Sequence, residues 1–226
     1  MMEGRQAHKM GTVDQKLYQL RVVLREISPL VWRRILVPSS TTLADLHEVL
    51  QIVFDWDGSR LHSFRIHGKE YAGESGKPRE VVLSALRLVP GESFVYEYDY
   101  FAGWRCDVRL EKVLATDPKR RFPICTGGRW PSPPDDCSGP QEYLERLEQH
   151  RLGPSLEELD DLNTLAKALL EVTKESPEMA CKEFLEKLEI HEVVERVIAF
   201  ESFGLTPFCR RPINKRLREE PQKEQP

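Results

Sequence analysis

Between Phe94 and Leu114 the chain alternates with a period of two on both sides of a short glycine-containing turn. Phe94, Tyr96, Tyr98 and Tyr100 alternate with Val95, Glu97 and Asp99. Past the turn, Trp104, Cys106, Val108 and Leu110 alternate with Arg105, Asp107, Arg109 and Glu111. Successive side chains of a strand point to opposite faces, so each series shares one face. The stretch predicts a β-hairpin with an aromatic, aliphatic face turned inward and a charged face turned to water. A slip of one residue would exchange the faces. Burying one large apolar side chain is worth ~1.5–3 kcal/mol, so the register is strongly fixed.

The other elements are read around this hairpin. Tyr18, Leu20, Val22 and Leu24 alternate with polar residues and predict a first strand. Trp32 to Val37 predicts a second, ended by Pro38, and the Ser28-Pro29 turn makes the two an antiparallel pair. Ser39 to Thr42 supplies capping residues for a helix carrying Leu43, Leu46, Leu50, Val53 and Phe54 at helical spacing. That helix stops at Asp55-Trp56-Asp57-Gly58. His62, Phe64 and Ile66 predict a third strand, followed by a loop through Gly68 and Gly73 to Pro78. Val81 to Leu88 reads as an extended piece and one helical turn. The stretch FPICTGGRWPSPPDDCSGP is dense in Pro and Gly and reads as a loop without regular structure. Gln141 to Gln149 predicts a helix with Leu144 and Leu147 inward. Residues 155–200 predict a helical hairpin, with a leucine stripe from Leu156 to Leu170 and a new helix starting at Pro177.

These elements make an α+β fold: an antiparallel sheet packed against helices, with an inserted C-terminal helical hairpin. The expected division is a disordered N-terminus at 1–15, a core at 16–150, a helical insertion at 151–202, a return to the core at 203–218 and a disordered tail at 219–226. A net charge of −4 over 226 residues gives no global basic signature for nucleic acid. No apolar run approaches the ~20 residues that span a bilayer. The N-terminus lacks the apolar core of a secretory signal. Five cysteines, an odd number, do not make a disulfide scaffold, so a reducing cytoplasm is the expected compartment.

Four separated segments carry a resemblance: WRRILVPSSTTLADLHEVLQIVFDWDGSRLHSFRI, YEYDYFAGWRCDVRLEKVL, PICTGGRWPSPPDDCSGPQEYLE and INKRLRE. In this order they resemble the plasmid pRiA4b ORF-3-like family, whose members often carry insertion-element passenger or TnpR-like labels. The resemblance covers about residues 16–150 and 203–218. It implies a compact α+β domain of unassigned biochemical function and a mobile-element setting. The resolvase role in the label is not carried over, because no residue here supports a serine-recombinase site. The chain departs from the family pattern at Phe101-Ala102, where a Gly-Asp turn is usual. It also departs at Cys106, where a His is usual, and at Ser132, where a third loop Cys is usual.

Candidate chemistry falls into four groups. Cys106, Cys125 and Cys137 with His62 have the thiolate and imidazole donors that zinc prefers, although Cys-x11-Cys is not a zinc-knuckle spacing. Cys125 and Cys137 are expected close together, with Cys106 approaching them if the loop folds back over the hairpin. Buried free cysteines are commonly plain core residues, and a packed loop without metal, held by Trp130 and its prolines, is the favoured outcome. His47 and His62 read as hydrogen-bonded core or rim histidines, since Ser59 and His62 are too close in sequence for a nucleophile–base pair. Asp57, Glu97, Asp99, Asp135 and Asp136 could form an acidic rim. Arg210, Arg211, Lys215, Arg216 and Arg218 form a basic run without interleaved aromatics, read as a solvated final helix.

No P-loop, dinucleotide-binding glycine pattern, HExxH or GxSxG occurs. The first reading is therefore a non-catalytic binding or adaptor domain for a protein partner or small ligand. Its expected contact surface is Trp56, His62, Tyr98, Asp99, Trp104 and Trp130. The second is a metal-binding protein or enzyme using Cys106, Cys125, Cys137 and His62. The third, resting on the family labels, is a nucleic-acid accessory of a mobile element.

Overall fold

The computed structural model describes residues 16–58, 60–73, 78–117, 119–152, 159–160, 162–167, 194 and 208–219. Seven antiparallel strands form one sheet: β1 (Lys16–Leu24), β2 (Trp32–Pro38), β3 (His62–Ile66), β4 (Lys69–Ala72), β5 (Ser93–Tyr98), β6 (Trp104–Ala115) and β7 (Ile124–Arg129). Their order is β4-β3-β5-β6-β1-β2-β7, so the predicted hairpin sits at the centre. Helices α1 (Leu43–Phe54), α2 (Pro140–Leu152) and α3 (Arg210–Glu219) complete the described core. The fold is the expected α+β arrangement. Among the described residues no helix is long and apolar enough to cross a membrane.

The alternation of the hairpin sets its faces. Trp104, Cys106, Val108 and Leu110 are buried with Phe94, Tyr96 and Tyr98, while Arg105 and Arg109 are exposed. Glu111 differs from the simple pattern. Its carboxylate accepts from Arg34 Nε at 2.6 Å and Nη2 at 2.9 Å and from Gln19 Nε2 at 2.7 Å, which half-buries it. Tyr100 also differs, because β5 ends at Tyr98 and Asp99 turns the chain with φ 51°.

Helix α1 lies over the inward face because its apolar residues share one side. Leu43, Leu46, Leu50, Val53 and Phe54 are all buried. A capping box starts it: Thr42 Oγ1 accepts from Asp45 N at 3.0 Å, and Asp45 Oδ2 accepts from Thr42 N at 3.1 Å. Asp55 ends it in the left-handed region at φ 57°, its N–H bonded back to the last turn.

Two strands escaped the sequence reading. β4 follows a two-residue turn at His67-Gly68, with φ 50° and 74°. Positive φ at both central residues marks the hairpin turn that matches strand twist. β7 lies inside the stretch read as a loop without regular structure. At one of its glycines, Gly128, close packing at this edge strand leaves no room for a side chain. A Cβ on Gly128 would fall 2.6 Å from the Phe208 ring, and one on Gly127 would sit 3.5 Å from the Trp32 ring. The outer edge of β7 is covered by α3. Asn214 Oδ1 accepts from Cys125 N at 2.8 Å, and Asn214 Nδ2 donates to Cys125 O at 2.9 Å. This side-chain amide pairs with the backbone as a further strand would, which blunts the edge.

In α2 the buried residue is Tyr143, packed edge-on to Trp104 at 6.3 Å, whereas Leu144, expected inward, is exposed. Of the helical hairpin expected at 155–200, residues 159–160, 162–167 and 194 are helical and the remainder lies outside the described residues. The terminal segments 1–15 and 220–226 and Ser59 also lie outside them.

Candidate functional site

The C-terminus of α1, the start of β3, the β5–β6 turn and the proline loop converge at one end of the sheet. His47 and Gln51, one helical turn apart on α1, point to the same side. The His47 ring stacks on the His62 ring, with centroids 3.5 Å apart and planes inclined by 7°. Beneath them, Gln51 Nε2 donates to the Tyr96 hydroxyl oxygen at 2.6 Å, and that hydroxyl lies 2.8 Å from His47 Nδ1. Gln51 Nε2 also lies 3.2 Å from His47 Nδ1, so the amide, the hydroxyl and the imidazole close a three-membered polar cluster. Gln51 Oε1 is buried with no hydrogen-bond partner. Burial, and secondarily His62, lowers the pKa of His47 to about 3. Burial also lowers His62, against a backbone hydrogen bond at Arg60 that raises it. The pair is therefore neutral at physiological pH.

Stacking decides what this pair can coordinate. A histidine nitrogen binds a metal along its in-plane lone pair at ~2.0–2.1 Å. Two nearly parallel rings 3.5 Å apart have no common in-plane point, so His47 and His62 cannot hold one ion without rotating apart.

An aromatic floor adjoins the histidines. Trp56 is stacked between Phe54 at 4.9 Å and Tyr98 at 4.6 Å, and its Nε1–H donates to Pro133 O at 3.3 Å. The Tyr98 hydroxyl donates to Asp57 Oδ1 at 3.2 Å. Burial, followed by the Asp135 and Asp57 carboxylates, raises the Tyr98 pKa. Burial and then Asp57 raise that of Asp135 in turn, against a backbone hydrogen bond at Asp57 and the Arg60 guanidinium, which lower it.

Above the floor stands the hairpin turn. The Asp99 carboxylate accepts from Phe101 N at 3.0 Å and Ala102 N at 3.3 Å, while Gly103 N returns to Asp99 O at 2.6 Å. Asp99 N donates to Leu61 O at 2.9 Å, joining the turn to the entry of β3. The proline loop closes beneath it at Gly139, where a Cβ would fall 2.5 Å from Ala102 O. The turn is thus held from three sides. On it Phe101 is 96% exposed and Tyr100 46%, with Leu61 65% exposed alongside.

Arg33 anchors the proline loop from within the core. It takes an inward position on β2 and is 2% exposed. Its guanidinium donates to Val53 O at 2.9 Å, Trp32 O at 2.9 Å, Arg129 O at 3.1 Å and Ser132 Oγ at 2.7 Å, and it packs over Phe208 at 4.6 Å. Burial lowers its pKa to about 10, which leaves it charged at neutral pH.

Trp56, Tyr98 and Trp104 are buried and support the face from below, His62 is half-buried, Asp99 shapes the turn, and Trp130 is 41% exposed. Asp57 and Asp135 meet. Glu97 sits on the charged face between Arg65 and Arg105, and Asp136 pairs with Arg146 at 2.9 Å. Among the basic run, Arg210 donates to Thr126 O at 2.9 Å and Arg216 pairs with Asp55.

The zinc set is dispersed by the sheet register. Cys125 pairs with Ile35, Ile35 with Leu20, and Leu20 with Leu110. Cys106 is therefore three strands across from Cys125 and four residues along. Cys125 and Cys137 thiols each lie 3.5 Å from a local carbonyl, those of Gly127 and Gly139. Among the described residues no three His, Cys, Asp or Glu side chains group as metal ligands would.

Sequence reasoning missed Arg33, Gln51 and the exposure of Leu61 and Phe101. Arg33 shares parity with the inward Ile35 and Val37, a signal that was present. Gln51 lies one turn from His47, but nothing in the sequence places Tyr96 over them.

A central antiparallel hairpin, flanking strands and a capped helix over one face define a sheet-and-helix α+β domain. The chain belongs to the plasmid pRiA4b ORF-3-like protein family, whose model matches residues 16–174. It is similar to the uncharacterized protein y4hQ of Sinorhizobium fredii (strain NBRC 101917 / NGR234), with 31% identity over 138 residues, 58% of this chain and 71% of that protein. It is also similar to the protein of unknown function MM3350 from Methanosarcina mazei Go1. That crystal structure matches at a TM-score of 0.56 and 33% identity, over 61% of this chain and 82% of the other.

Proposed function

We propose that this protein is a non-catalytic binding domain that engages a protein partner through the face formed by Leu61, Tyr100 and Phe101. One observation carries the reading: Phe101 is 96% exposed on a turn fixed by Asp99, Leu61 and the proline loop. Exposing a large aromatic ring to water is unfavourable, and a fixed turn loses little conformational freedom when that ring is covered. Aromatic anchors on preorganised elements are where binding energy concentrates in protein interfaces. The buried aromatics and the stacked histidines serve as the foundation that keeps the turn in place. A metal centre built on Cys106, Cys125, Cys137 and His62 is not favoured, because strand register separates two of the thiols and His62 is committed to a stack.

A photo-crosslinking phenylalanine analogue placed at position 101, and separately at the exposed Lys112, tests the reading in living cells. The expected result is a discrete adduct from position 101 that is absent from position 112. Indistinguishable adduct patterns from the two positions would overturn it.

A further inference from the structure

We infer that the outward face of the sheet holds a single-stranded nucleic acid, whose phosphates lie along a row of arginines crossing β6, β1 and β2. Arg109 on β6 is the register partner of Arg21 on β1, and Arg21 is the register partner of Arg34 on β2. Each stands between buried neighbours: Val108 and Leu110, Leu20 and Val22, Arg33 and Ile35. All three side chains therefore leave the sheet on the side away from the core and from α1. Adjacent strands are ~4.8 Å apart, so the three arginines stand side by side over about 10 Å.

This row departs from the charge pattern around it. Elsewhere on the same face cation meets carboxylate: Arg25 pairs with Asp107 at 2.5 Å, and Glu97 lies 3.7 Å from Arg65 and 3.4 Å from Arg105. Arg34 takes both oxygens of Glu111. Arg21 and Arg109 make no hydrogen bond or ion pair among the described residues. Glu111, whose pKa Arg21 helps to lower, is already bonded by Arg34 and Gln19. Like charges directly opposite each other in an antiparallel pair are destabilising, and an anion laid along the row removes that repulsion.

Aromatic rings hold the row and extend it. Trp32 lies two residues before Arg34 on the same face, and its ring packs against the guanidinium of Arg21 at 5.1 Å and of Arg34 at 5.3 Å. A guanidinium fixed in this way presents planar paired donors that fit two oxygens of a phosphate. Arg129, the register partner of Trp32, packs 5.7 Å from the ring of Trp130, which is 41% exposed. Cations for phosphates beside an open aromatic ring for a base are the two components of single-strand binding. The shape of the face selects among anions. Small phosphorylated ligands are held in concave sites, whereas this row lies on an open sheet. A duplex is read by an element inserted into a groove, while splayed single strands lie flat and stack. An acidic peptide would satisfy the arginines but leave Trp130 uncovered.

The test titrates the full chain into fluorescein-labelled oligothymidylate and oligouridylate of about twelve nucleotides, within the span of single-strand sites. Anisotropy should report binding at about 50 mM salt that weakens steeply as salt rises. Arg21→Gln/Arg109→Gln should weaken it about tenfold and lower the slope of log affinity against log salt by about 1.4, the share of two phosphate contacts. Arg109→Gln alone alters only an exposed side chain and should lower the slope by about 0.7, which decides the matter even where changing Arg21 disturbs the fold. Arg21→Lys/Arg109→Lys should keep the slope, because the charges remain. Trp130→Ser should weaken binding at an unchanged slope, since stacking carries no counterion. Phe101→Ser should bind as wild type does, because the row and the Phe101 turn share no residue. Absence of binding at about 100 μM protein, beyond the usual non-specific range, would overturn the assignment. An Arg109→Gln slope equal to that of wild type would also overturn it, as would loss of binding in Phe101→Ser. A glutamate decapeptide that competes as well as unlabelled oligonucleotide would assign the row to an acidic protein instead. A failure at the arginine row leaves the Phe101 reading standing.

Discussion

His47 and His62 stack at 3.5 Å with their planes within 7° of parallel, joining helix α1 to strand β3 through two neutral rings. The contact depends on that neutrality, since two stacked imidazolium ions would repel at close range in a partly dehydrated site. Both rings have pKa values lowered by burial, His47 to about 3.

The first prediction follows from this shift. A histidine protonates near pH 6.5 in the unfolded chain and well below that in the folded protein. Between those values the unfolded state holds the additional proton, so stability is full above about pH 6.5 and declines as pH falls towards 3. Asp135, with its pKa raised, acts in the opposite direction and nearer the carboxylate range. Urea unfolding at pH 7.5 and pH 5 should show a loss on the order of 1–2 kcal/mol for the wild type. The loss should be smaller for His47→Gln, which removes the titrating ring. Equal pH dependence in the two proteins would remove His47 as its source.

A second prediction concerns Arg33. Its guanidinium bridges α1, β7 and the proline loop through Val53 O, Arg129 O and Ser132 Oγ. Arg33→Met removes those bonds and strands buried acceptors, which should cost about 2–4 kcal/mol. Arg33→Lys should recover little, because a single ammonium cannot reproduce the planar fork. Ser132→Ala should cost about 1.5–3 kcal/mol, the value of one hydrogen bond to a charged group. Chemical denaturation of the three variants measures all of this, and a wild-type midpoint for Arg33→Met would show the bridge to be dispensable.

Legibility in the sequence followed the reach of local pattern. β5 and β6 could be read because a period of two persists over many residues and one face is buried. The Thr42 cap could be read because its partner, Asp45, is three residues away. β7 could not, because Gly127 and Gly128 speak for a loop until Phe208 and Trp32, distant in sequence, are seen packed against them. The His47–His62 stack and the Gln51–Tyr96 bond join different elements, and one sequence holds no signal of such pairings. Tyr143 displaced Leu144 from the inward position because Trp104 offered a ring surface there. The exposure of Phe101 could not be read either, because it depends on where Asp99 ends the strand.

The third prediction uses the glycine contacts. A Cβ at residue 128 would come 2.6 Å from the Phe208 ring, while one at 127 would meet Trp32 at an ordinary 3.5 Å. Gly128→Ala should therefore displace Phe208 from its place over Arg33 and destabilise by about 1–2 kcal/mol. In a Phe208→Ala background the same change should cost less, because the obstructing ring is gone. Gly127→Ala should be milder than Gly128→Ala. A double-mutant cycle by thermal or chemical unfolding gives the coupling, and strict additivity would place the strain elsewhere.

The last prediction concerns the thiols. Cys106, Cys125 and Cys137 are buried, and burial is the first cause raising the pKa of each. Nucleophilic reactivity needs the thiolate, so all three should resist alkylation in the folded protein. Among the described cysteines Cys209 is the exposed one and should react before the other three. Mass spectrometry after iodoacetamide treatment near pH 8 should find Cys209 labelled within minutes and the three core thiols labelled only in denaturant. The same geometry bears on metal. A zinc ion needs several thiolate or imidazole donors about 2.0–2.3 Å from one point. Here Cys106 lies three strands from Cys125, and the Cys125 and Cys137 thiols each lie 3.5 Å from the carbonyl two residues on. Elemental analysis of the purified protein should therefore find zinc well below one per chain, and Cys125→Ser should retain its fold. About one zinc per chain, lost in Cys125→Ser together with cooperative unfolding, would reverse this conclusion and make the metal part of the folded core.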